Sequence, residues 1–122
     1  MNDETNQVLI VDDEIDICYL LSVIIKQRNL VPTYVHTLAD AISNLNTKTP
    51  SILFLDNHLP DGLGVEFIRH VKINHPGVTI ILITAYDSVA DKKLALSEGA
   101  DFFIGKPFTK VIVNEVLNKI VK

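Results

Sequence analysis

Four of the five short apolar runs in this sequence are followed, within two residues, by side chains that could do chemistry. Those side chains are Asp12 and Asp13 after the first run, Asp56 after the third, Thr84 after the fourth and Lys106 after the fifth. Carboxylates bind cations or act as nucleophiles, whereas a hydroxyl and an ammonium bind oxyanions. Together they are the components of a site for a metal ion and a phosphoryl group.

Each of these side chains also has an ordinary structural explanation when it is considered alone. Asp12 and Asp13 could cap a helix, and Asp56 could open the turn that follows it. Thr84 could bond to the backbone at a strand end, and Lys106 could be a solvated lysine. The chemical interpretation therefore depends on whether the fold brings all of them to one place.

The apolar runs predict strands of a parallel sheet. Most of them are rich in Val, Ile, Leu and Phe without polar alternation, which is typical of strands covered on both faces. They comprise residues 8–11, 31–35, 51–55, 78–83 and 102–104.

The segments between the runs have the apolar spacing and the capping residues of helices. The first helix is predicted over 14–29, with Asp13 as its cap. The other four are predicted from Thr37 to near Leu45, from after Gly64 to His75-Pro76-Gly77, from Asp87 or Ser88 to Gly99, and from Thr109 onward.

Five strands alternating with five helices predict an α/β fold with right-handed crossovers and helices on both faces of the sheet. Such a sheet places its binding site at the carboxyl ends of its strands. Because the acidic, hydroxyl and ammonium side chains all follow strands, we expect them to converge at that edge.

Composition limits the classes of protein to which the chain can belong. Its 122 residues suffice for one domain, and 48% hydrophobic with 21% charged residues is typical of a globular core. The net charge of −4 argues against direct binding to nucleic acid. Cys18 is the single cysteine, and neither a signal peptide nor a membrane span is predicted, so we expect a cytoplasmic protein.

Convergence of three carboxylates has an energetic cost that calls for a cation. Each close pair repels by ~4 kcal/mol at an effective dielectric of about 20 and a separation of about 4 Å. An all-oxygen site built from short acidic side chains suits Mg²⁺. Opposite the carboxylates, Lys106 and Thr84 then provide a positive charge and a hydroxyl donor for a tetrahedral phosphoryl group.

The motifs around these residues resemble one family. The segments VLIVDDE, LFLDNHLPDGLG, ILITAY and GADFFIGKPF are similar, in this order and spacing, to the receiver domain of two-component response regulators. The resemblance covers essentially the whole chain. It implies one domain over 1–122 with a flexible segment at about 1–7, and a flavodoxin-like (βα)5 fold whose doubly wound five-stranded parallel sheet has the order 2-1-3-4-5.

The resemblance also implies roles for the acidic residues. Asp56 would be the phosphoacceptor, forming an aspartyl phosphate with a group taken from a phosphohistidine. Asp13 and Asp56 would ligate Mg²⁺ or Mn²⁺ directly, Asp12 largely through water, and His58 through its main-chain carbonyl.

For the remaining site residues the resemblance implies phosphoryl binding and switching. Lys106 and Thr84 would each bind a phosphoryl oxygen, and the Lys106-Pro107 bond would be cis. Movement of Thr84 would let the aromatic ring of Phe103 swing inward, which changes the face formed by the fourth helix, the fifth strand and the fifth helix.

Four positions fall outside the most common family pattern or vary within it. Asn57 stands where an apolar residue is more usual, and Gly105 where a small hydroxyl residue or Ala is common. His58 and Tyr86 occupy the positions that tune hydrolysis of the acyl phosphate. We predict that these two bulky side chains obstruct the attacking water and lengthen the phosphorylated lifetime.

The implied function is a signalling switch rather than an enzyme, although the chain would catalyse its own phosphotransfer and dephosphorylation. Its phosphodonor would be a sensor histidine kinase or a histidine phosphotransfer protein. An output domain or a downstream protein would receive the signal, and phosphorylation could drive formation of a homodimer. No membrane partner is expected.

Three alternatives remain open from the sequence. A haloacid-dehalogenase-type phosphatase uses similar groups, but its nucleophile follows the first strand in an Asp-x-Asp arrangement. A flavodoxin-like cofactor binder needs a loop rich in hydroxyl or glycine residues there, where this chain has Asp12, Asp13 and Glu14. A docking module without phosphorylation would usually have lost a site residue, and none is missing.

Overall fold

The computed structural model describes residues 6–86 and 88–121, and the five predicted strands and five predicted helices occur within them in the predicted order. The strands are β1 (Gln7–Val11), β2 (Val31–Val35), β3 (Ile52–Asp56), β4 (His58–Leu59), β5 (Gly62–Leu63), β6 (Thr79–Thr84) and β7 (Phe102–Gly105). The helices are α1 (Ile15–Gln27), α2 (Leu38–Thr47), α3 (Gly64–Asn74), α4 (Val89–Glu98) and α5 (Lys110–Ile120).

One parallel sheet organises the molecule. Its strand order is β2-β1-β3-β6-β7, which is the predicted order 2-1-3-4-5 when only the strands of this sheet are counted. β4 and β5 form a separate antiparallel ribbon of two residues each, which the sequence pattern did not predict. This ribbon connects β3 to α3, so it determines the path of the chain directly after Asp56.

Two apolar cores lie on opposite faces of the sheet. One contains residues of α1 and α5, including Leu21 and Leu117, and the other contains residues of α2, α3 and α4, including Leu45 and Ile68. All residues of β1 and β3 are buried, which explains the apolar runs 8–11 and 52–55 within them. The prediction of helices on both faces is confirmed.

The edge strand β2 departs from the prediction that the strands are covered on both faces. Val31 and Tyr34 are 48% and 51% exposed. β2 pairs with β1 alone and carries Pro32, a residue without an N–H donor that is tolerated at a sheet edge. Its apolar sequence therefore covers less core than the sequences of the central strands.

The ends of α1 correct two predictions. Asp13 is not the cap: Glu14 occupies the N-cap position, and its N–H donates to Oδ1 of Asp12 at 2.8 Å. The helix ends at Gln27 rather than at 29 because Asn29 adopts a left-handed conformation with φ 62°. The N–H of Leu30 then donates to the carbonyl of Ile25 at 3.2 Å, the closing bond of a Schellman motif.

The other helix ends follow the predicted capping residues. Thr37, Ser88 and Thr109 each accept a hydrogen bond from the backbone N–H three residues later. Gly99 ends α4 at φ 117°, a conformation that favours glycine. The alternative cap Asp87 lies outside the described residues, and α2 continues to Thr47 instead of stopping near Leu45.

Two expectations concern the chain as a whole. The expected flexible segment at 1–7 falls mostly outside the described residues, and its last residue, Gln7, begins β1. None of the described helices is long and apolar enough to cross a membrane.

Candidate functional site

Three carboxylates meet at the carboxyl edge of the sheet. One carboxylate oxygen from each of Asp12, Asp13 and Asp56 lies within 4.8 Å of the others. The register explains this, because Val11 of β1 pairs with Leu55 of β3, and the next residue of each strand is an aspartate. The structure thus brings together the three acidic residues that the sequence placed at strand ends.

Burial makes this cluster electrostatically costly. Asp12 and Asp56 are buried, and burial together with the charge of Asp12 raises the pKa of Asp56 to about 6. Burial also raises the pKa of Asp12, although the Glu14 N–H and the Lys106 ammonium offset part of that rise. Burial therefore destabilises the ionised form of both carboxylates, and a bound cation would offset that cost.

Lys106 enters the cluster from the end of β7. Its Nζ lies 3.1 Å from Oδ2 of Asp12, 3.4 Å from Oδ1 of Asp56 and 2.6 Å from Oε1 of Glu14. Burial alone would lower the pKa of Lys106, but the carboxylates of Glu14, Asp12 and Asp56 outweigh burial and raise it. The Lys106-Pro107 bond is cis, as expected.

Thr84 ends β6, the strand that pairs with β3. It is buried, and its Oγ1 accepts a hydrogen bond from the Tyr86 N–H at 3.0 Å. Its carbonyl accepts from the Lys106 N–H at 2.8 Å, which ties β6 to the residue that carries the ammonium. Phe103 lies in β7 opposite Leu82 and packs, half-buried, against the core of α2, α3 and α4.

Backbone contacts fix the end of β3, where Asp56 lies. The N–H of Gly64 donates to the carbonyl of Asn57 at 2.8 Å. A Cβ on Gly64 would lie 2.3 Å from the carbonyl oxygen of Asp56, so only glycine permits this approach. The side chain of Asn57 accepts from the Val65 N–H at 2.8 Å and so caps the first turn of α3.

The main-chain oxygen of Asp12 is held from two sides. His36 Nδ1 donates to it at 2.9 Å, and the thiol of Cys18 donates to it at 3.2 Å. Burial, assisted by the charge of Asp12, raises the pKa of Cys18 to about 11, so this thiol stays protonated and inert. Cys18 thus positions the first acidic residue besides filling the core.

His58 and Tyr86, which follow the two central strands, contact each other. Their ring centroids are 4.3 Å apart with an interplanar angle of 40°. His58 lies in the β4–β5 ribbon, where it pairs with Leu63. Asp61 fixes this ribbon, because its carboxylate accepts from the N–H groups of Leu38 and Ala39 at 2.8 and 3.0 Å, and these bonds lower its pKa.

The donor set fits a hard divalent cation. The three clustered groups are all carboxylates, the ligand type that Mg²⁺ and Mn²⁺ accept. Within the part of the chain that the structure describes, the buried Oδ2 of Asp12 has no hydrogen-bond donor in good geometry, although Lys106 Nζ is 3.1 Å away. A cation with bound water would satisfy that oxygen.

Sequence reasoning missed three contributors to the site. Glu14 was considered only as a charge that repels a phosphate, yet it makes the shortest contact with Lys106. Asn57 was considered only as a departure from the family pattern, although it caps α3, and His36 was not assigned to the site. The one available signal was the third consecutive acid, Glu14, after the first strand.

Comparison with known proteins gives one consistent family. The family model described as "Response regulator receiver domain" matches residues 8–118. The phosphate regulon transcriptional regulatory protein PhoB of Escherichia coli is 30% identical over 105 residues, covering 84% of this chain and 46% of PhoB. The KDP operon transcriptional regulatory protein KdpE of Escherichia coli is 36% identical, covering 83% of this chain and 44% of KdpE. The chain spans less than half the length of these curated relatives.

Solved structures agree with the sequence relatives. The beryllofluoride-activated receiver domain dimer of NtrC4 has a TM-score of 0.86 and 35% identity, and the alignment covers 95% of this chain and 93% of that one. A CheY-like receiver domain from Methanospirillum hungatei shares the fold at a TM-score of 0.88 with 24% identity, covering 95% of this chain and 93% of that one. With the matched family model and the converged acidic cluster, these findings show that the chain belongs to the receiver domain family of two-component response regulators.

Proposed function

We propose that this receiver domain accepts a phosphoryl group on Asp56 and uses it as a signal. The observation that carries the proposal is the cluster of Asp12, Asp13 and Asp56 with Lys106 at the carboxyl edge of the sheet. Asp56 is the central member, since its strand lies in the middle of the sheet and its backbone is fixed by Gly64.

In the transfer step, a carboxylate oxygen of Asp56 attacks the phosphorus of a phosphohistidine. An O–P bond forms, the P–N bond breaks, and its electron pair leaves with the imidazole, which takes up a proton. The raised pKa of Asp56, about 6, still leaves most of this carboxylate ionised at pH 7. The product is an aspartyl phosphate in a site that already carries a cationic side chain.

The other residues stabilise charge on the transferring group. Lys106 would pair with one phosphoryl oxygen and the Thr84 hydroxyl would donate to another. Asp13 and Asp56 would hold Mg²⁺ or Mn²⁺ directly, with Asp12 acting through water and His58 through its carbonyl. When bound, that cation would offset the negative charge of both nucleophile and phosphoryl group.

The direct test is the intact mass of the protein after incubation with Mg²⁺ and acetyl phosphate. We expect a gain of one phosphoryl group that requires the metal and is absent in Asp56→Asn. Asp16→Asn is the matched control, because Asp16 is an exposed aspartate in the first turn of α1. If neither acetyl phosphate nor a phosphorylated histidine kinase modified the wild type, a module that only docks partners would replace the proposal.

Metal binding can be tested without phosphorylation. We expect Mg²⁺ to raise the melting temperature, with about 1.4 kcal/mol of stabilisation at roughly ten times its dissociation constant. Asp13→Ala should remove this gain, whereas Asp16→Ala should retain it. An undiminished gain in Asp13→Ala would refute Asp13 as a ligand.

We propose that phosphorylation changes the face formed by α4, β7 and α5. Thr84 would leave the Tyr86 N–H for the phosphoryl oxygen, and the ring of Phe103 would move into the space that opens. Hydrogen exchange with and without beryllofluoride, a mimic of the phosphoryl group, tests this. Thr84→Val should bind the mimic without the change in exchange at α4 and β7, and a full change in this variant would contradict the role of Thr84.

A long-lived phosphorylated state is the second property we propose. The contact between the His58 and Tyr86 rings supports it, because the two bulky side chains lie against each other where the chain leaves β3 and β6. Replacing both by alanine should speed the loss of phosphate measured by mass. Unchanged decay would exclude obstruction of water by these rings.

The partners follow from the phosphotransfer. We propose a histidine kinase or a histidine phosphotransfer protein as the donor, and an output domain or a downstream protein as the recipient of the signal. NtrC4, at 35% identity, has an activated receiver dimer, which supports a phosphorylation-dependent homodimer here. Light scattering with and without beryllofluoride should show an increase from monomer to dimer mass.

A further inference from the structure

Lys106 contacts an acidic residue that the proposed phosphotransfer does not use. Its ammonium has three donors, and three carboxylates surround it, those of Glu14, Asp12 and Asp56. The shortest distance, 2.6 Å, joins Nζ to Oε1 of Glu14 rather than to either buried aspartate. A phosphoryl oxygen on Asp56 must therefore compete for an ammonium that already donates a hydrogen bond to Glu14 and lies beside two buried carboxylates.

The backbone of Glu14 is fixed while its side chain is directed at the lysine. Its N–H donates to Oδ1 of Asp12 at 2.8 Å, and its carbonyl accepts from Ile17 and Cys18 in the first turn of α1. Glu14 is the N-cap residue, yet its side chain makes no capping hydrogen bond. Among the described residues, the carboxylate has Lys106 as its partner, so the contact does not serve the helix end.

Of the three contacts, the contact with Glu14 is the one most easily exchanged. The Glu14 side chain is 59% exposed, whereas the side chains of Asp12 and Asp56 are 1% and 6% exposed. A released Glu14 carboxylate is solvated by water, but a released aspartate would be left as a buried, unpaired charge. Lys106 can thus give up Glu14 at the smallest cost.

We propose that Glu14 is a positioning residue that competes with the phosphoryl group for Lys106 and so holds the site in its unphosphorylated arrangement. This inference rests on the proposed phosphorylation of Asp56. Glu14 Oε1 and Asp56 Oδ1 contact the same nitrogen at 2.6 and 3.4 Å, so a phosphoryl dianion on Asp56 would arrive close to the Glu14 carboxylate. Competition for Lys106 and repulsion of the dianion act in the same direction.

The test is the affinity for beryllofluoride in the presence of Mg²⁺, measured by calorimetric titration of the wild type and of Glu14→Gln. Glutamine keeps the size of the side chain and removes its charge, so we expect binding about 3- to 10-fold tighter. Because the competing charge is exposed, that gain should shrink as the salt concentration rises. Glu66→Gln, an exposed glutamate in the first turn of α3, is the control and should bind as the wild type does.

Glu14→Asp separates contact with Lys106 from general repulsion. Aspartate keeps the charge but has one methylene less with which to reach Nζ, so we expect its affinity to approach that of Glu14→Gln. The role of Glu14 would be overturned if Glu14→Gln bound beryllofluoride with wild-type or weaker affinity. It would also be overturned if Glu14→Gln bound more tightly while Glu14→Asp kept the wild-type affinity. Failure of the wild type itself to bind beryllofluoride or accept phosphate would instead overturn the proposed function.

Discussion

Helices α3 and α4 are neighbours on one face of the sheet, yet they are anchored very differently. α3 buries Phe67, Ile68 and Val71, and its first turn is bonded through Gly64 and Val65 to Asn57, the residue after β3. Of the described α4 residues, Ala95 alone is buried, and the helix begins from its own Ser88 cap. The segment that carries Asp56, the proposed acceptor, is therefore fixed to α3, whereas α4 has few buried side chains that hold it in place.

The strongest test of how α3 is anchored is a substitution at Gly64. In Gly64→Ala the new Cβ would lie 2.3 Å from the Asp56 carbonyl oxygen. Because this oxygen belongs to the backbone, relieving the clash requires the chain itself to shift. We expect a loss of about 3 kcal/mol or more in the free energy of unfolding by urea. Gly77→Ala is the control, since a Cβ there meets nothing within 4 Å and should change stability by less than about 0.5 kcal/mol. Equal stability of the two variants would contradict the close approach at Gly64.

The next largest effect concerns the charge on Asp56. Burial raises the pKa of Asp56 to about 6, so in metal-free protein the folded state binds a proton that the unfolded chain releases near pH 4. The contribution of Asp56 to stability is thus fully present below about pH 4 and is lost as pH rises through about 6, on the order of 2 kcal/mol.

Urea unfolding in a chelator between pH 4 and 7 measures this effect. Asp56→Asn should become more stable relative to the wild type as pH rises across this range. Asp61→Asn is the control, because hydrogen bonds from α2 lower the pKa of Asp61 and its contribution to stability is lost only as pH falls below about 4. Its difference from wild type should therefore stay constant across this range. A pH-independent difference between Asp56→Asn and wild type would exclude the raised pKa.

A smaller loss of stability is expected at Asn57, where the chain after β3 caps α3. Asn57→Ala removes the side-chain acceptor for the Val65 N–H and should cost about 1 kcal/mol in urea unfolding. Asn57→Asp keeps an acceptor at this position and should retain more of the stability. Asn118→Ala, on the exposed face of α5, is the matched control and should cost less than about 0.5 kcal/mol.

The smallest expected effect on stability concerns α4, the more weakly anchored of the two helices. Arg69 of α3 contacts Glu98 at the end of α4 at 3.0 Å, but the arginine side chain is 68% exposed. Glu98→Gln should therefore cost only about 0.2–0.5 kcal/mol. Hydrogen exchange is the sensitive measurement: α4 amides should exchange faster than α3 amides in the wild type, and slightly faster again in Glu98→Gln. Slower exchange in α4 than in α3 would reverse the comparison.

Most of the fold and of the acidic cluster could be predicted from sequence because both depend on local signals. Buried strands are apolar throughout, and the residues that follow them reach the same sheet edge whatever the details of packing. Capping side chains at Thr37, Ser88 and Thr109 act within one turn, so their positions in the sequence were sufficient.

What could not be predicted depends on contacts between distant segments. Lys106 is 92 residues from Glu14, and no periodicity shows that the two side chains meet. Asn57 caps a helix that begins seven positions later because a two-stranded ribbon brings the chain back. The exposed faces of β2 reflect its place at the sheet edge, which its apolar run at 31–35 did not reveal.

The edge position of β2 has a consequence for how separate molecules behave in a concentrated solution. An exposed apolar strand with free backbone groups is a template on which another chain can add a strand, and repetition of that pairing builds aggregates. Pro32, in the second position of β2, offers no N–H to an incoming strand, so the outer edge has a break in its hydrogen-bonding pattern. The proline thereby protects the sheet against indefinite lateral growth from this edge.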